Sequence, residues 1–177
     1  DRESAFDNTT LWATELLQDA AELEVSVGSI VAETLSASVI VTNLSGHKLP
    51  SGYAEGRRMW LHVEAKDNND QVIFESGGYD NATGALTVDA QAKVYEVVHG
   101  EWNSDTSECV THDDSPQPKR QFHFVLNDCI KSDNRIPPLG FSGKDDVETQ
   151  PVGYSYPSNA DGSLANFDQT DYSIPVP

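Results

Sequence analysis

Short segments in which apolar and polar residues alternate constrain this 177-residue chain more than any other feature. The alternation first occurs over residues 23–27 and returns over residues 35–41, where apolar side chains occupy every second position. A period of two places alternate side chains on opposite faces of a β-strand. Both segments are therefore predicted to be half-buried strands.

Turn-forming residues separate these segments from others of the same kind. Residues 58–65 alternate as well, and the sequence Asp-Asn-Asn-Asp at 67–70 predicts a turn into a partner strand at 71–75. Two further strands are predicted at 93–99 and 120–127. Near the start of the chain, apolar residues recur at helical spacing and predict a short amphipathic helix over about residues 9–21, capped by Asp7 or Asn8.

Many short strands after one helix indicate a mainly β fold, an antiparallel immunoglobulin-like β-sandwich with a short N-terminal helix and long irregular C-terminal loops. We predict three parts. Residues 1–22 form the helix and are a candidate linker to an upstream domain, residues 23–141 form the sandwich, and residues 142–177 form a loop-rich C-terminal segment.

The composition limits the classes of partner. Asp and Glu number 29 against 11 Lys and Arg, which gives a net charge of −18. Such a charge disfavours nucleic acid and anionic membranes as partners and favours cations. It suits a saline habitat or a calcium-binding protein. No apolar run approaches the roughly 20 residues that a membrane-spanning helix needs.

The two cysteines, Cys109 and Cys129, lie 20 positions apart. This spacing fits neither a metal clip nor a haem-attachment motif, so a single disulfide is predicted, with two buried free thiols as the alternative. The bridge would stabilise the fold by about 3 kcal/mol on the chain-entropy model and would place the protein in an oxidising compartment.

Residues 43–58 gather a histidine and three of the chain's eleven cations into one loop rich in Gly and Pro. The candidate site residues are His47, Lys48, Arg57 and Arg58. A loop held out by a rigid sheet is a common place for functional residues. Internal hydrogen bonds for His47, and salt bridges to the chain's own carboxylates for the three cations, are the competing interpretations.

The same stretch carries a resemblance to a known family. Gly46–Gly52 (GHKLPSG), Glu55–Val63 (EGRRMWLHV), Val72–Gly77 (VIFESG) and Asp133–Pro138 (DNRIPP) occur in the order found in the haem-free β-sandwich module near the C-terminus of bacterial multihaem c-type cytochromes. The resemblance covers about residues 25–141. Several short motifs in a fixed order are more specific than any one of them.

The resemblance implies a function in electron transfer. The chain lacks a haem-attachment motif, so it binds no haem covalently, and the haem c would lie in a neighbouring domain or subunit. Residues 1–22 would then link the sandwich to an upstream haem domain. His47, Lys48, Arg57 and Arg58 would face that haem or its interface, with His47 as a candidate iron ligand and the cations as candidate partners of haem propionates. The expected location is periplasmic or extracellular.

Other functions compete with this one. Asp80, Asp89 and Asp133 are candidate ligands for calcium. The main alternative function is an extracellular assembly or binding module, acting by self-association through strand donation, by glycan binding or with calcium. No Gly-x-Ser-x-Gly or His-Glu-x-x-His motif occurs, so we do not expect an enzyme.

Overall fold

The computed structural model describes residues 2–111, 125, 127–143 and 149–176. Within these residues, the chain forms one α-helix, a short 3-10 turn at Ala54–Gly56 and twelve strands. The helix is α1 (Arg2–Gln18). The strands are β1 (Ala21–Val31), β2 (Thr34–Asn43), β3 (Met59–Trp60), β4 (Val63–Lys66), β5 (Val72–Ser76), β6 (Tyr79–Asp80), β7 (Ala85–Leu86), β8 (Val94–Tyr95), β9 (Val97–Asn103), β10 (Glu108–Val110), β11 (Cys129–Asp133) and β12 (Phe167–Pro175).

All the strand pairs are antiparallel. The two three-stranded sheets have the orders β1-β2-β12 and β10-β9-β11, and β3 with β8, β4 with β5, and β6 with β7 form two-stranded ladders. The mainly β, antiparallel prediction is thus confirmed, and the arrangement is consistent with a β-sandwich. Its immunoglobulin-like subtype stays a prediction.

The core lies between the β1-β2-β12 sheet and the shorter strands. Alternate side chains of β2 and β12 are buried, among them Val41 and Tyr172, and they share one cluster with Tyr95 of β8. The Phe74 ring of β5 meets the Tyr172 ring edge-on, with 6.4 Å between centroids. Ile136, fully buried, ties the segment after β11 into the same cluster.

The helix differs from its prediction in position and packing. It runs from Arg2 to Gln18, and none of its residues is buried. The predicted caps Asp7 and Asn8 lie inside it. The threonine hydroxyls in this stretch find partners within the helix, since they donate to carbonyls four residues earlier, for example Thr9 to Ala5 at 2.8 Å. No helix among the described residues is long and apolar enough to span a membrane.

The strand predictions are mostly confirmed. Segments 23–27 and 35–41 lie in β1 and β2, and residues 63–66 pair with 72–76 as the predicted hairpin. The predicted strand at 58–65 is divided between β3 and β4, and the predicted strand at 93–99 between β8 and β9. The C-terminal segment, expected to be loop-rich, contributes β12 to the main sheet. The predicted strand at 120–127 lies outside the described residues except for Val125 and Asn127.

Cys109 and Cys129 form a disulfide, with their Cα atoms 5.9 Å apart. Cys109 lies in β10 opposite Trp102 of β9, and Cys129 lies in β11 opposite Gly100 of the same strand. A Cβ atom on Gly100 would lie 2.4 Å from the Val110 carbonyl oxygen and 3.0 Å from the Cys109 sulfur. Glycine is therefore needed where β9 passes beneath the disulfide.

Candidate functional site

The loop that follows β2 is held near its middle by backbone hydrogen bonds. Leu49 exchanges two such bonds with Ile136, both at 2.9 Å, in an isolated antiparallel bridge. Leu49 itself is buried in the core. The segment from Gly46 to Gly52 is therefore presented by residues that belong to the core, as expected for a functional loop on a rigid support.

Asn43, the last residue of β2, organises the loop from beneath. Its side chain is fully buried, and its amide nitrogen lies 2.7 Å from the His47 carbonyl, 2.9 Å from the Ile136 carbonyl and 3.1 Å from the Pro137 carbonyl. Its side-chain oxygen accepts hydrogen bonds from the backbone and the hydroxyl of Ser45. Buried backbone carbonyls need such partners, so one amide determines the path of the chain around His47.

A buried ion-pair network lies behind the loop. The Lys48 ammonium is 2.8 Å from Oδ2 of Asp133, and the side chains are 8% and 1% exposed. Arg135 also binds Asp133 with two bonds, Nε to Oδ1 at 2.9 Å and Nη2 to Oδ2 at 2.8 Å. Burial would raise the pKa of Asp133, but the hydrogen bonds from Arg135 and Lys48 outweigh it and hold that pKa below its usual range.

An open cleft of about 680 Å³ adjoins this network. Its walls include the exposed His47, the Arg135 side chain, Pro138 and the ring of Phe141. The Lys48 ammonium lies 5.6 Å from the centroid of the Phe141 ring. The cleft thus combines an imidazole, cationic groups and an aromatic wall, and its volume lies within the range typical of small-molecule and cofactor sites.

Only two of the four candidate site residues line the cleft. His47 and Lys48 both line the cleft, but Lys48 is committed to Asp133. Arg57 and Arg58 are exposed, and neither is among the residues that line the cleft. Arg57 donates from Nη1 to the Ser51 carbonyl at 3.1 Å, which fastens the far end of the loop. Sequence reasoning missed Arg135 and Phe141, although both lie in the segment that carries the resemblance.

The three candidate calcium ligands do not come together in one site. Asp133 is saturated by Lys48 and Arg135. Asp80 accepts hydrogen bonds within its own turn, chiefly from the Thr83 hydroxyl at 2.7 Å, and these bonds lower its pKa. Asp89 accepts from Ser76 and from two backbone amides. Asp80 and Asp89 share a cleft of about 290 Å³, but Asp133 lies outside it.

Two other polar groupings were not anticipated. His62, Glu64 and Glu75 have ligand atoms that all lie within 4.8 Å of one another, and all three residues are exposed. Their closest contact, His62 Nε2 to Glu75 Oε1, is an ordinary 3.0 Å hydrogen bond, and Lys66 lies 3.2 Å from Glu64. These contacts account for the grouping without a metal.

The second grouping is a buried polar network centred on Asp168. Its carboxylate accepts from the Tyr95 hydroxyl at 3.0 Å and from the Tyr154 hydroxyl at 2.6 Å. The Lys93 ammonium lies 2.8 Å from the same carboxylate and 4.3 Å from the centroid of the Tyr154 ring. Because these groups satisfy one another, the network stabilises the fold and leaves no group directed at a ligand.

Comparison with known proteins does not identify the chain's family. The sequence matches no family model, and neither the comparison with curated proteins nor that with solved structures found a significant similarity. The resemblance to the cytochrome module therefore stays a prediction that depends on the short motifs quoted above.

Proposed function

We propose that this chain is a non-catalytic accessory domain of an extracytoplasmic multihaem cytochrome electron-transfer system. In this proposal, the face that contains the Gly46–Gly52 loop packs against a haem-bearing domain or subunit. The observation that carries the proposal is the exposed imidazole of His47 beside a cleft with an aromatic wall. A neighbouring haem would find there a candidate axial ligand, His47, and the aromatic ring of Phe141.

The rigidity of the loop supports this role. Asn43 fixes the His47 carbonyl, and the Leu49 to Ile136 bridge fixes the chain two residues later. A ligand or contact residue on a fixed backbone binds with a smaller loss of conformational entropy than one on a mobile loop. His47 is therefore held ready for a partner.

The cationic part of the cleft depends on Arg135 more than on the predicted arginines. Two bonds to Asp133 orient the Arg135 guanidinium, which lines the cleft. In the proposed complex, Arg135 would meet haem propionates or acidic side chains, because guanidinium groups match carboxylates well. Arg57 and Arg58 would contact the partner outside the cleft. The Cys109–Cys129 disulfide supports a periplasmic or extracellular location.

The first test is the visible spectrum of material purified from the source with this polypeptide. We expect a c-type haem Soret band that co-purifies with the chain through two chromatographic steps. Haem-free material, isolated under conditions that preserve complexes, would refute the proposal.

The second test separates His47 from the rest of the surface. In the complex with the haem-bearing partner, His47→Ala should weaken association at least tenfold, and it should change the haem spectrum if the imidazole binds iron. His62→Ala is the matched control, because His62 is also exposed but does not line the cleft. Equal effects of the two variants would contradict a specific role for His47.

Assembly is the second candidate function. It is favoured by the large apolar area that α1 and β1 leave exposed. Large exposed apolar patches mark interaction sites in soluble proteins. The glycan-dependent and calcium-dependent forms of this alternative have no comparable observation in their favour.

A further inference from the structure

Strand β1 extends its sheet past the core, so the inner face of the sheet is exposed along this strand. Leu23 and Val25 lie directly opposite Val41 and Val39 of β2, so their side chains are on the same face as these core residues. Val41 and Val39 are 2% and 6% exposed, whereas Leu23 and Val25 are 62% and 65% exposed. The second layer of the fold therefore covers β2 and β12 but leaves β1 bare.

The outer edge of β1 is also open. The opposite edge of the sheet, on β12, is capped by Gln91, whose side chain exchanges two hydrogen bonds with the backbone of Ser173. Among the described residues, no such cap is found along β1. The strand is 11 residues long and contains neither Pro nor Lys, two of the residues that protect sheet edges from pairing. Its two glutamates lie on the outer face, and its one irregularity comes only after Val27.

The helix α1, which is separated from β1 by two residues, exposes further apolar side chains. Phe6, Trp12, Leu16 and Leu17 are between 64% and 75% exposed. A fully buried aliphatic side chain withdraws roughly 60–120 Å² of surface from water. If these side chains and the bare face of β1 were covered in both copies of a two-fold dimer, the total buried area would be roughly 1,000 Å². Specific protein interfaces begin at about this size.

We propose that β1 pairs with β1 of a second copy of this chain, antiparallel across a two-fold axis at Val25. The two three-stranded sheets would then join into one six-stranded sheet. The α1 helices would cover the combined apolar face. Isologous contacts of this kind are the commonest way in which identical chains associate.

The sequence of β1 suits this register. An axis at Val25 places Leu23 opposite Val27 of the second copy, so apolar side chains meet on the inner face. On the outer face, Glu24 is placed opposite Ser26, and Glu22 falls opposite the irregular part of β1 that begins after Val27. No two carboxylates face each other directly, which matters in a chain with a net charge of −18. An axis one residue earlier would place Glu24 opposite itself.

Sedimentation velocity on the purified chain tests the association. We expect a dimer whose dissociation constant falls when NaCl is raised from about 0.15 M to about 1 M, because salt screens the repulsion between the acidic copies. Val25→Asp should weaken the dimer at least tenfold, whereas Val72→Asp, a half-exposed position in another sheet, should leave it unchanged. A monomer at both salt concentrations, up to about 1 mM chain, would overturn the proposal.

Cysteine cross-linking tests the register. The two native cysteines are bridged to each other, so an introduced cysteine would carry the only free thiol. In an antiparallel pair, the Cα atoms of opposed residues are about 4.5–5.5 Å apart, within reach of a disulfide. Val25→Cys should cross-link at least five times faster than Glu24→Cys. A dimer in which Glu24→Cys cross-links faster, or in which both rates are equal, would contradict the Val25 axis.

Discussion

Asn43 and Lys48 show how single polar residues control the shape of the candidate site. Each is buried, and each connects the loop after β2 to the segment after β11: Asn43 through its bond to Ile136, and Lys48 through its ion pair with Asp133. A buried polar group without a partner is costly, so these contacts specify one loop conformation. The loop's exposed residue, His47, depends on them for its position.

Removal of the Lys48 ammonium should destabilise the protein strongly. In Lys48→Ala, the buried Asp133 keeps Arg135 but loses its second cation, and breaking a buried ion pair costs about 3 kcal/mol. We expect the free energy of unfolding in urea to fall by about that amount. The melting temperature should fall by roughly 6–12 °C.

Arg58→Ala is the matched control for Lys48→Ala. Arg58 is an exposed cation of the same loop region, and its loss should change stability by less than about 0.5 kcal/mol. If both variants lost the same stability, the buried pair would not be the source of the effect.

At the scale of elements, β1 and β2 follow their sequence closely, but their connection does not. The turn between them consists of Ala32 and Glu33, both with positive φ, 49° and 59°. A two-residue hairpin of this type requires left-handed backbone at both positions and strongly favours Asn-Gly. Two ordinary residues thus occupy a conformation that costs each of them roughly 1 kcal/mol.

Replacement of this turn should stabilise the protein. For Ala32→Asn combined with Glu33→Gly, we expect a gain of about 1 kcal/mol, and thus a melting temperature roughly 2–4 °C higher by calorimetry. Glu24→Gly in the middle of β1 is the control and should destabilise, because glycine weakens a regular strand by about 0.5–1 kcal/mol. An unchanged or lower melting temperature for the turn variant would contradict the strain argument.

At the scale of the whole molecule, burial of phenol and amine groups determines the response to pH. Burial raises the pKa of Tyr95, Tyr154 and Tyr156 above the usual value, and it raises that of Tyr172 to about 12. For Lys93, burial acts to lower the pKa, but the hydrogen bonds to Asp168 and Tyr154 prevail and raise it. All five groups therefore hold their protons more tightly in the folded protein than in the unfolded chain.

A group with a raised folded pKa contributes stability below its unfolded pKa and loses that contribution as the pH rises toward the folded value. Since the unfolded values for Tyr and Lys are about 10 and 10.4, we expect urea stability to fall steeply above about pH 10. Tyrosinate absorbance should show at least three tyrosines that ionise only on unfolding. If all six tyrosines titrated near pH 10 in the folded protein, the buried network would be refuted.

At acid pH, the contribution of Asp133 to stability changes with pH in the opposite direction. Its folded pKa is lowered, so its contribution is present above the unfolded value of about 3.9 and is lost as the pH falls below it. Arg135→Ala should make the acid loss of stability start at higher pH. An unchanged acid profile would show that the Arg135 pair does not control it.

Much of the fold could be predicted from the sequence because the β1, β2, β4 and β5 segments show their periodicity directly. Their inward positions are apolar, so alternation identifies the buried face. Strand β12 shows where this reasoning fails. Its inward positions include Asp168 and Thr170 as well as Tyr172 and Ile174, and polar residues on the inward face hide the pattern.

Only part of the candidate site could be predicted, because the rest of it depends on contacts between residues far apart in the chain. The unusual loop containing His47 and Lys48 was recognisable from its local composition. Arg135 and Phe141, about 90 positions later, complete the cleft, and long-range contacts such as the Leu49 to Ile136 bridge and the Lys48 to Asp133 ion pair bring the two segments together. Single-sequence reasoning has no measure of such long-range pairing.

By itself, the sequence determined the strand-rich character, the acidic surface, the disulfide pair and the exposed loop, since each depends on residue type or short-range spacing. The tertiary structure decided which polar residues are buried and with which partners. It also decided that β12 completes the main sheet while β1 remains uncovered. These outcomes depend on contacts between residues far apart in the chain, where burial makes each unpaired charge or hydrogen-bonding group costly.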